Sequence, residues 1–581
     1  MNSMLVRIWR LLKLCTAAPG GRIGILYFLI VLALNLAGIE VTLRLISWSA
    51  DFYNALQKLD GAEAVRQIGV FAILTVIGSG LYLSATYIRK LLQICWRQTL
   101  TDAALSRWLD NKAYWHVGET GQPVLDNPDQ RIAEDCRIFV MRVTEEALDM
   151  ISAVVGLISY VAVLWQLSSF PLSLTLFGIA VEIPHYMVWA APVYVAICSG
   201  MTHILGAPLM RLNVEQQKRE ANFRFALTRF REAKEAVALA SGETVERAIM
   251  DERFRRIISN WRRLIGRELI LGCFTRPYMS TVLRIPMFLA LPAFLAGHVT
   301  LGGLMQLASA FQNVVTKLSW FIFSYGELAE LAAASARLDG FLTQMEEVGA
   351  RSRSSARLVS DNQVLSIHDL KVRDPQGNVL VSLPRLRVRQ GETVWMNGPS
   401  GLGKSTLIKA IAGLWPHYEG HIETPAGRQF YMAQKTYLPL GSFASAATYP
   451  LSPVEVGDVR RLLQRVGLPP HVIRADSDVP ENGKESAFNL SGGELQRIAI
   501  ARILAARPAW VFLDEATSAL DARAEEELLS LLRNELPDAA FIVVAHREPV
   551  GLGPLRQVDM ERAPRQSAFR TGQGDITPVP A

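Results

Sequence analysis

Apolar residues crowd the first 330 positions of the chain and thin out afterwards. They gather into six runs, at 23–47, 67–88, 148–168, 185–206, 278–297 and 302–325. Each is close to the ~20 residues with which an α-helix crosses a bilayer. Ahead of them, Arg7, Arg10 and Lys13 recur at helical spacing among Leu5, Ile8, Trp9, Leu11 and Leu12, which predicts an amphipathic helix over 1–22 lying on a cytoplasmic membrane surface. A cleavable leader is the competing reading, and the next apolar run opposes it, being long and without a small-residue cleavage site. Further along the runs shorten. Thr393-Val394-Trp395-Met396, Phe430-Tyr431-Met432-Ala433, Trp510-Val511-Phe512-Leu513 and Phe541-Ile542-Val543-Val544 read as strands, and Leu407 to Ala412 as a helix. The pattern predicts an α-helical membrane domain over 23–335, a polar linker over 336–362, an α/β domain over 363–560 and a disordered tail over 561–581.

Charge gives the membrane domain a direction. The segments Arg89 to Glu146 and Arg211 to Arg276 are long and rich in Arg and Lys, whereas those on the opposite side are short and hold few basic residues. The positive-inside bias therefore puts both termini and both long loops in the cytoplasm. The net charge of +6 is read the same way, as topology rather than nucleic-acid binding. Of 581 residues, 50% are hydrophobic, and the mean hydropathy of +0.20 is high for a soluble protein. The cysteines, Cys15, Cys95, Cys136, Cys198 and Cys273, are scattered with no CxxC, which indicates neither a metal site nor a disulfide framework. Polar groups inside the predicted spans are candidates for a solute pathway: Glu40 and Arg44 in the first, Arg284 in the fifth, Lys317 in the sixth, with Asn35 and Gln312. Glu40 and Arg44, one turn apart, read equally well as an intrahelical ion pair, and Glu182 falls just outside span four.

Catalytic chemistry enters at Gly398-Pro399-Ser400-Gly401-Leu402-Gly403-Lys404-Ser405-Thr406, which fits GxxxxGK[ST] between a predicted strand and a predicted helix. Backbone N–H groups of such a loop surround phosphates, and Lys404 reaches the outer ones. Ser405 offers a hydroxyl to Mg²⁺. The strand Trp510 to Leu513 ends in two carboxylates: Asp514, suited to ordering a hydrated Mg²⁺, and Glu515, suited to act as general base for an attacking water. Leu490-Ser491-Gly492-Gly493-Glu494-Leu495-Gln496-Arg497 would open a helix with a hydroxyl and bare N–H groups.

That last run is identified as the signature sequence of ATP-binding-cassette (ABC) proteins. The resemblance implies that Gln434 is the Q-loop residue touching Mg²⁺ or water, that Ser518-Ala519-Leu520-Asp521 is the loop crossing a dimer seam, and that His546 lies beside the γ-phosphate. It also implies that Ser491, Gly492, Gly493 and Glu494 serve a nucleotide held by the phosphate loop of a second chain. The membrane half resembles one subgroup through Phe52-Tyr53-Asn54-Ala55-Leu56-Gln57, Trp96-Arg97-Gln98-Thr99-Leu100-Thr101, Trp108-Leu109, Asp126-Asn127-Pro128-Asp129-Gln130-Arg131-Ile132 and Arg219-Glu220-Ala221-Asn222-Phe223-Arg224. These look like the SbmA/BacA-like and YddA-like bacterial ABC transporters, related to the peroxisomal fatty-acyl transporters of subfamily D. Asn127-Pro128 forces a turn, with Asn127 or Asp129 able to cap the following helix, which suits a coupling element, and Arg229 to Glu243 is a second such region. Two departures stand out. Upstream of the phosphate loop, Ile367 to Arg373 lacks the aromatic residue that stacks on adenine in ABC cassettes, leaving His368 or Arg373 as substitutes. The stretch Gly441-Ser442-Phe443-Ala444-Ser445 lacks a basic residue common in the family, although Tyr449-Pro450 matches.

The resulting expectation is an exporter-like six-span transmembrane domain followed by a P-loop ATPase domain, working as a homodimer in the bacterial inner membrane. ATP and Mg²⁺ are the implied cofactors. Membrane lipid, a second copy and an amphipathic solute (a peptide, a cobalamin-like molecule or a fatty-acyl compound) are the implied partners, and nucleic acid is not. Import is favoured. Two rivals remain: a non-transporting membrane sensor or scaffold, and a proton-driven carrier with an accessory ATPase.

Overall fold

The computed structural model describes residues 2–119, 127–176, 179–282, 284–295, 297–320, 324–354, 358–360, 363–399, 401–439, 443–453, 457–470 and 490–560. The tail at 561–581, Asp126, Ser400 and the Gly441-Ser442 departure lie outside the described residues. The chain divides into two compact units, 1–106 with 127–342, and 107–126 with 343–581.

The first unit is helical. α1 (Asn2–Ala17) ends where Pro19 starts α2 (Pro19–Gln57), followed by α3 (Gly61–Leu109). The helix α4 (Ala113–Glu119) falls in the second unit. After a π-turn at Arg131–Asp135 come α5 (Cys136–Leu167), α6 (Tyr186–Glu232), α7 (Lys234–Leu239), α8 (Glu243–Val282), α9 (Ile285–Leu295), α10 (Leu301–Leu318) and α11 (Tyr325–Ser354). Among the described residues, four stretches are long and apolar enough to cross a membrane: Pro19–Gln57, Gly61–Val117, Pro128–Leu167 and Tyr186–Glu232. They contain the first four predicted spans. The fifth falls on α9, only 11 residues long and carrying Pro286 and Pro292. The sixth falls on the 18-residue α10, whose apolar character is diluted by Gln306, Gln312, Asn313 and Lys317.

Between spans three and four the sequence reading missed an antiparallel hairpin, β1 (Leu172–Leu176) with β2 (Ile179–Ile183), in register Leu172 opposite Ile183. The predicted linker is also corrected. Helix α11 runs through it to Ser354, because Leu338, Phe341, Leu342, Met345 and Val348 form a buried stripe at helical spacing.

Helix α10 packs against α2 and α5 around Ile46, Tyr160, Leu164, Leu307 and Phe311. The approach is close: a Cβ on Gly302 would lie 2.1 Å from the Ala50 carbonyl oxygen. Three side chains cap the N-terminus of α10. Asn54 Oδ1 accepts from Gly302 N at 3.1 Å, Gln57 Oε1 from Leu301 N at 3.1 Å and Thr300 Oγ1 from Gly303 N at 3.2 Å. Asn54 and Gln57 belong to the motif after span one, so that motif has a packing reason. So does Trp96, whose Nε1 donates to the Gly21 carbonyl at 3.1 Å. Asp135, almost wholly buried, is held by Arg131 Nη1 at 2.8 Å and Arg337 Nε at 3.0 Å. On α1, Arg10 Nη1 lies 2.9 Å from Asp339 Oδ1, and Leu11 and Cys15 are fully buried while Leu5, Val6 and Trp9 face outward.

The second unit holds two sheets. One contains β3 (Leu358–Ser360), β4 (Val364–Arg373), β5 (Val379–Arg389) and β7 (Tyr418–Pro425), in the order β3-β7-β4-β5. The other is wholly parallel and contains β6 (Thr393–Asn397), β8 (Gln429–Met432), β9 (Trp510–Asp514), β10 (Ala540–Val544) and β11 (Leu555–Asp559), in the order β11-β6-β10-β9-β8. Strands β9 and β10 are buried throughout, as expected for a parallel sheet covered on both faces. Its helices are α12 (Lys404–Ile411), α13 (Phe443–Thr448), α14 (Val459–Arg465), α15 (Gly492–Ala506) and α16 (Ala522–Glu535).

Candidate active site

The parallel order places four strand ends side by side. The loop after β6 leads into α12, β10 ends before His546, β9 ends in Asp514-Glu515 and β8 leads to Gln434. Ligands of open parallel sheets bind at such carboxyl ends.

In the loop after β6, Gly401 and Gly403 take φ of +77° and +99°, a region costly for any residue with a Cβ. Gly403 is the N-cap of α12, so the first N–H groups of that helix have no intrahelical acceptor and face the loop. A Cβ on Gly398 would press to 3.1 Å from Leu402 and the Met560 carbonyl. Leu402 is buried beneath the loop, Pro399 leads into it, and Thr406 is half-buried in the first turn. Lys404 is buried and donates through Nζ to the Gly398 carbonyl, which folds its ammonium across the loop.

The two acidic residues have separate partners. Asp514 is buried, and its Oδ1 accepts from Ser405 Oγ at 2.9 Å. Burial lifts the Asp514 carboxyl above the ordinary carboxylate range, the Ser405 hydroxyl pulls it back, and the neighbouring Glu515 charge lifts it further. Glu515 lies in the left-handed region at φ +49°, which turns its side chain out of the strand line toward two partners. His546 Nε2 is 3.0 Å from Oε1, and Gln434 Nε2 donates to Oε2 at 2.9 Å. Gln434, Glu515 and His546 thus meet at one point although 112 positions separate the first and last of them.

The signature run forms a separate corner. Ser491 caps α15 in a reciprocal box: its Oγ accepts from Glu494 N at 3.3 Å, and Glu494 Oε2 accepts from Ser491 N at 2.8 Å. Ser491 and Gly492 are exposed. A Cβ on Gly492 would come within 3.2 Å of Ala519 Cβ, and on Gly493 within 3.5 Å of the Ala519 carbonyl. Gln496 Oε1 accepts from Ala519 N at 2.9 Å, which fastens this helix to the loop 518–521. Asp521 Oδ1 accepts from Ala524 N at 2.8 Å, so that carboxylate is a helix cap on its own chain.

Two groups escaped the sequence reading. Arg502 on α15 is buried and donates to the Ala446 carbonyl at 2.9 Å and the Tyr437 carbonyl at 2.8 Å, with Tyr449 under its guanidinium at 5.5 Å. It pins the segment after Gln434. Trp115 on α4 donates through Nε1 to the Leu414 carbonyl at 2.7 Å, and Lys409 Nζ sits 5.4 Å from its ring. A tryptophan in an otherwise polar loop was the available signal. Asn127–Asp135, the expected coupling element, groups with the first unit, and Trp115 groups with the second. Asn127 adopts φ +53° and makes no side-chain cap bond; only its carbonyl serves the turn. The second expected coupling region does form a short separate helix, α7, flanked by a left-handed Ser241 and with no buried residue.

Residues 12–295 match the family described as ABC transporter transmembrane region 2, and residues 383–518 match the ABC transporter family. The Escherichia coli K12 inner membrane ABC transporter ATP-binding protein YddA is 32% identical over 552 residues, 95% of this chain and 96% of its own length. The chain belongs to the ABC transporters. Within them it is a half-transporter, one membrane region followed by one ATPase domain, related to the YddA-like proteins and to subfamily D. The Arabidopsis thaliana ABC transporter D family member 2, chloroplastic, is 26% identical, covering 89% of this chain and 80% of its own. The human lysosomal cobalamin transporter ABCD4 is 25% identical, covering 90% and 89%. The C-terminal unit of this ABC transporter is therefore an ATP-binding, ATP-hydrolysing domain coupled to transport, and the chain is a membrane protein.

Proposed function

We propose that two copies of this half-transporter pair in the bacterial inner membrane, with both termini and the ATPase domains cytoplasmic, and hydrolyse ATP at their seam to move an amphipathic solute inward. The observation that carries the hydrolytic part is Glu515, held between Gln434 and His546 one residue beyond an Asp514 that is bonded to Ser405 at the phosphate loop.

In this reading the loop N–H groups and Lys404 hold the outer phosphates. Ser405, Asp514 and the amide oxygen of Gln434 form an all-oxygen donor set, which fits Mg²⁺ better than a softer metal. When bound, Mg²⁺ would offset charge on the phosphates. Glu515, through the carboxylate that Gln434 and His546 orient, accepts the proton of the attacking water. His546, beside Glu515 at 3.0 Å, would contact the γ-phosphate. The exposed Ser491 and the Gly492-Gly493 N–H groups, on a helix that Gln496 bonds to the 518–521 loop of its own chain, complete the phosphate site of the second copy. The exposure of α7 on its own chain supports the same pairing, because a short helix without buried residues has little to hold it unless a partner covers it. The solute classes are peptides, cobalamin-like molecules and fatty-acyl compounds, the second suggested also by the name of the human relative.

The test is ATPase activity of the protein in lipid nanodiscs, wild type against Glu515→Gln, with cationic peptide, cobalamin or fatty-acyl-CoA added. Stimulation by one class in wild type alone names the solute. Hydrolysis that no solute changes favours the scaffold reading. Solute uptake that survives Glu515→Gln but collapses with an uncoupler favours the proton-driven carrier.

A further inference from the structure

The triphosphate of the proposed reaction has a fixed direction. Its terminal phosphate belongs at Glu515 and His546, so the remainder of the nucleotide runs back over the loop and leaves on the side away from β9. That side is closed by the β4–β5 hairpin. A Cβ on Gly403 would lie 3.2 Å from Leu380 Cβ and 3.3 Å from Val381 Cγ2. Arg373 sits at the same end of the hairpin, directly opposite Val379. The segment 374–378 between the strands, Asp-Pro-Gln-Gly-Asn, carries no aromatic ring.

We infer that the guanidinium of Arg373 is the platform for the nucleobase, and that this ATPase therefore takes purine triphosphates with little regard for the base. This rests on the hydrolytic reading above. Arg373 is unusually fixed. Its N–H donates to the His417 carbonyl at 2.8 Å, and its carbonyl accepts from Trp415 Nε1 at 2.8 Å. Its Nη1 donates to the Gly377 carbonyl at 2.8 Å and its Nη2 to Glu419 Oε2 at 2.8 Å. Both side-chain bonds use the edge of the guanidinium and so lie in its plane, and although Nε is buried the side chain as a whole stays about a third exposed. The ion pair is a standing one, since Arg373 holds the Glu419 carboxyl below its usual range. The other candidate, His368, is removed from consideration. It lies five residues back along β4, roughly 16 Å at strand rise, opposite Arg385 and His421, with its ring on Ser366 Oγ at 2.9 Å. A cationic plane reads the π-face that all purines share and none of the edge groups that distinguish adenine from guanine.

The experiment is equilibrium displacement of a fluorescent trinitrophenyl-ATP from the full-length protein in nanodiscs by ATP, GTP and inorganic tripolyphosphate. In wild type, ATP and GTP should displace within a few-fold of each other. Arg373→Ala should weaken both by roughly 3–30-fold and leave tripolyphosphate unchanged. Arg373→Tyr should restore ATP binding, and Arg373→Lys should not. Tripolyphosphate weakened together with ATP, or rescue by Lys, would show that Arg373 acts on phosphates or on the hairpin and would overturn the inference. So would a wild type that prefers ATP over GTP by more than an order of magnitude. Wild type that binds no ATP would instead sink the hydrolytic reading, whereas ATP binding indifferent to all three variants sinks only this one.

Discussion

Side chains that meet in pairs decide the chemistry here. Glu515 is oriented from both sides, so Glu515→Gln should retain ATP binding yet lower turnover by about 10²–10⁴-fold, read as phosphate release against nucleotide binding. Asp135 and Glu40 are both ion-paired, and burial separates them. Asp135 is buried between two guanidinium groups, and removing it leaves them uncompensated. Asp135→Ala should therefore cost about 3–5 kcal/mol in denaturant or thermal unfolding. Glu40 lies 2.9 Å from Arg44 within the first candidate span, where 58% and 70% of their side chains are uncovered by protein, so the cost of Glu40→Ala is set by what surrounds the pair in the membrane. The residues of the phosphate loop, the signature run and Glu515 could be read from sequence because each belongs to a short contiguous motif with its own chemistry. The positions of His368 and Arg373 relative to Gly403 could not, since they depend on strand register and on which hairpin end abuts that glycine.

Helices and hairpins were legible where an apolar face ran unbroken. Leu338 to Val348 carries such a face, and reading the segment by its later run of Arg and Ser hid the helix. The fifth span is interrupted by prolines, and the hairpin β1–β2 is too short for its alternation to outweigh the apolar segments on either side. The close approach of α10 to α2 yields a direct test. Gly302→Ala would drive a methyl into the Ala50 carbonyl and should destabilise the membrane unit by about 1–3 kcal/mol, measured by thermal scanning in detergent. At α4, Trp115→Ala removes the bond to the Leu414 carbonyl and the contact with Lys409. The expected outcome is basal hydrolysis within about twofold of wild type and loss of stimulation by solute, because the phosphate site itself is untouched.

At the scale of the assembly, the proposed pairing of two copies can be tested directly. Mass photometry in nanodiscs should give twice the chain mass, and cysteines placed at Ala238 should cross-link to a partner only if α7 is covered by one. Native thiols supply a control. Cys15 and Cys136 are fully buried, and burial pushes the Cys15 thiol up to about 12, so both should resist maleimide at pH 8 until the protein unfolds. Domain order and membrane character were plain in the distribution of apolar runs. The count of crossings was not, because α10 owes its place to packing against α2 and α5 rather than to its own hydropathy.

The grip of α1 on Asp339 has a practical side. Trimming the first 17 residues to tidy an expression clone would strip Arg10 from a largely buried carboxylate and uncover the pocket filled by Leu11 and Cys15, at a cost of about 1–3 kcal/mol for the carboxylate alone. Affinity handles and fluorescent fusions on this protein should therefore leave α1 intact, and a truncation that removes it should be recognisable by poor recovery from the membrane fraction.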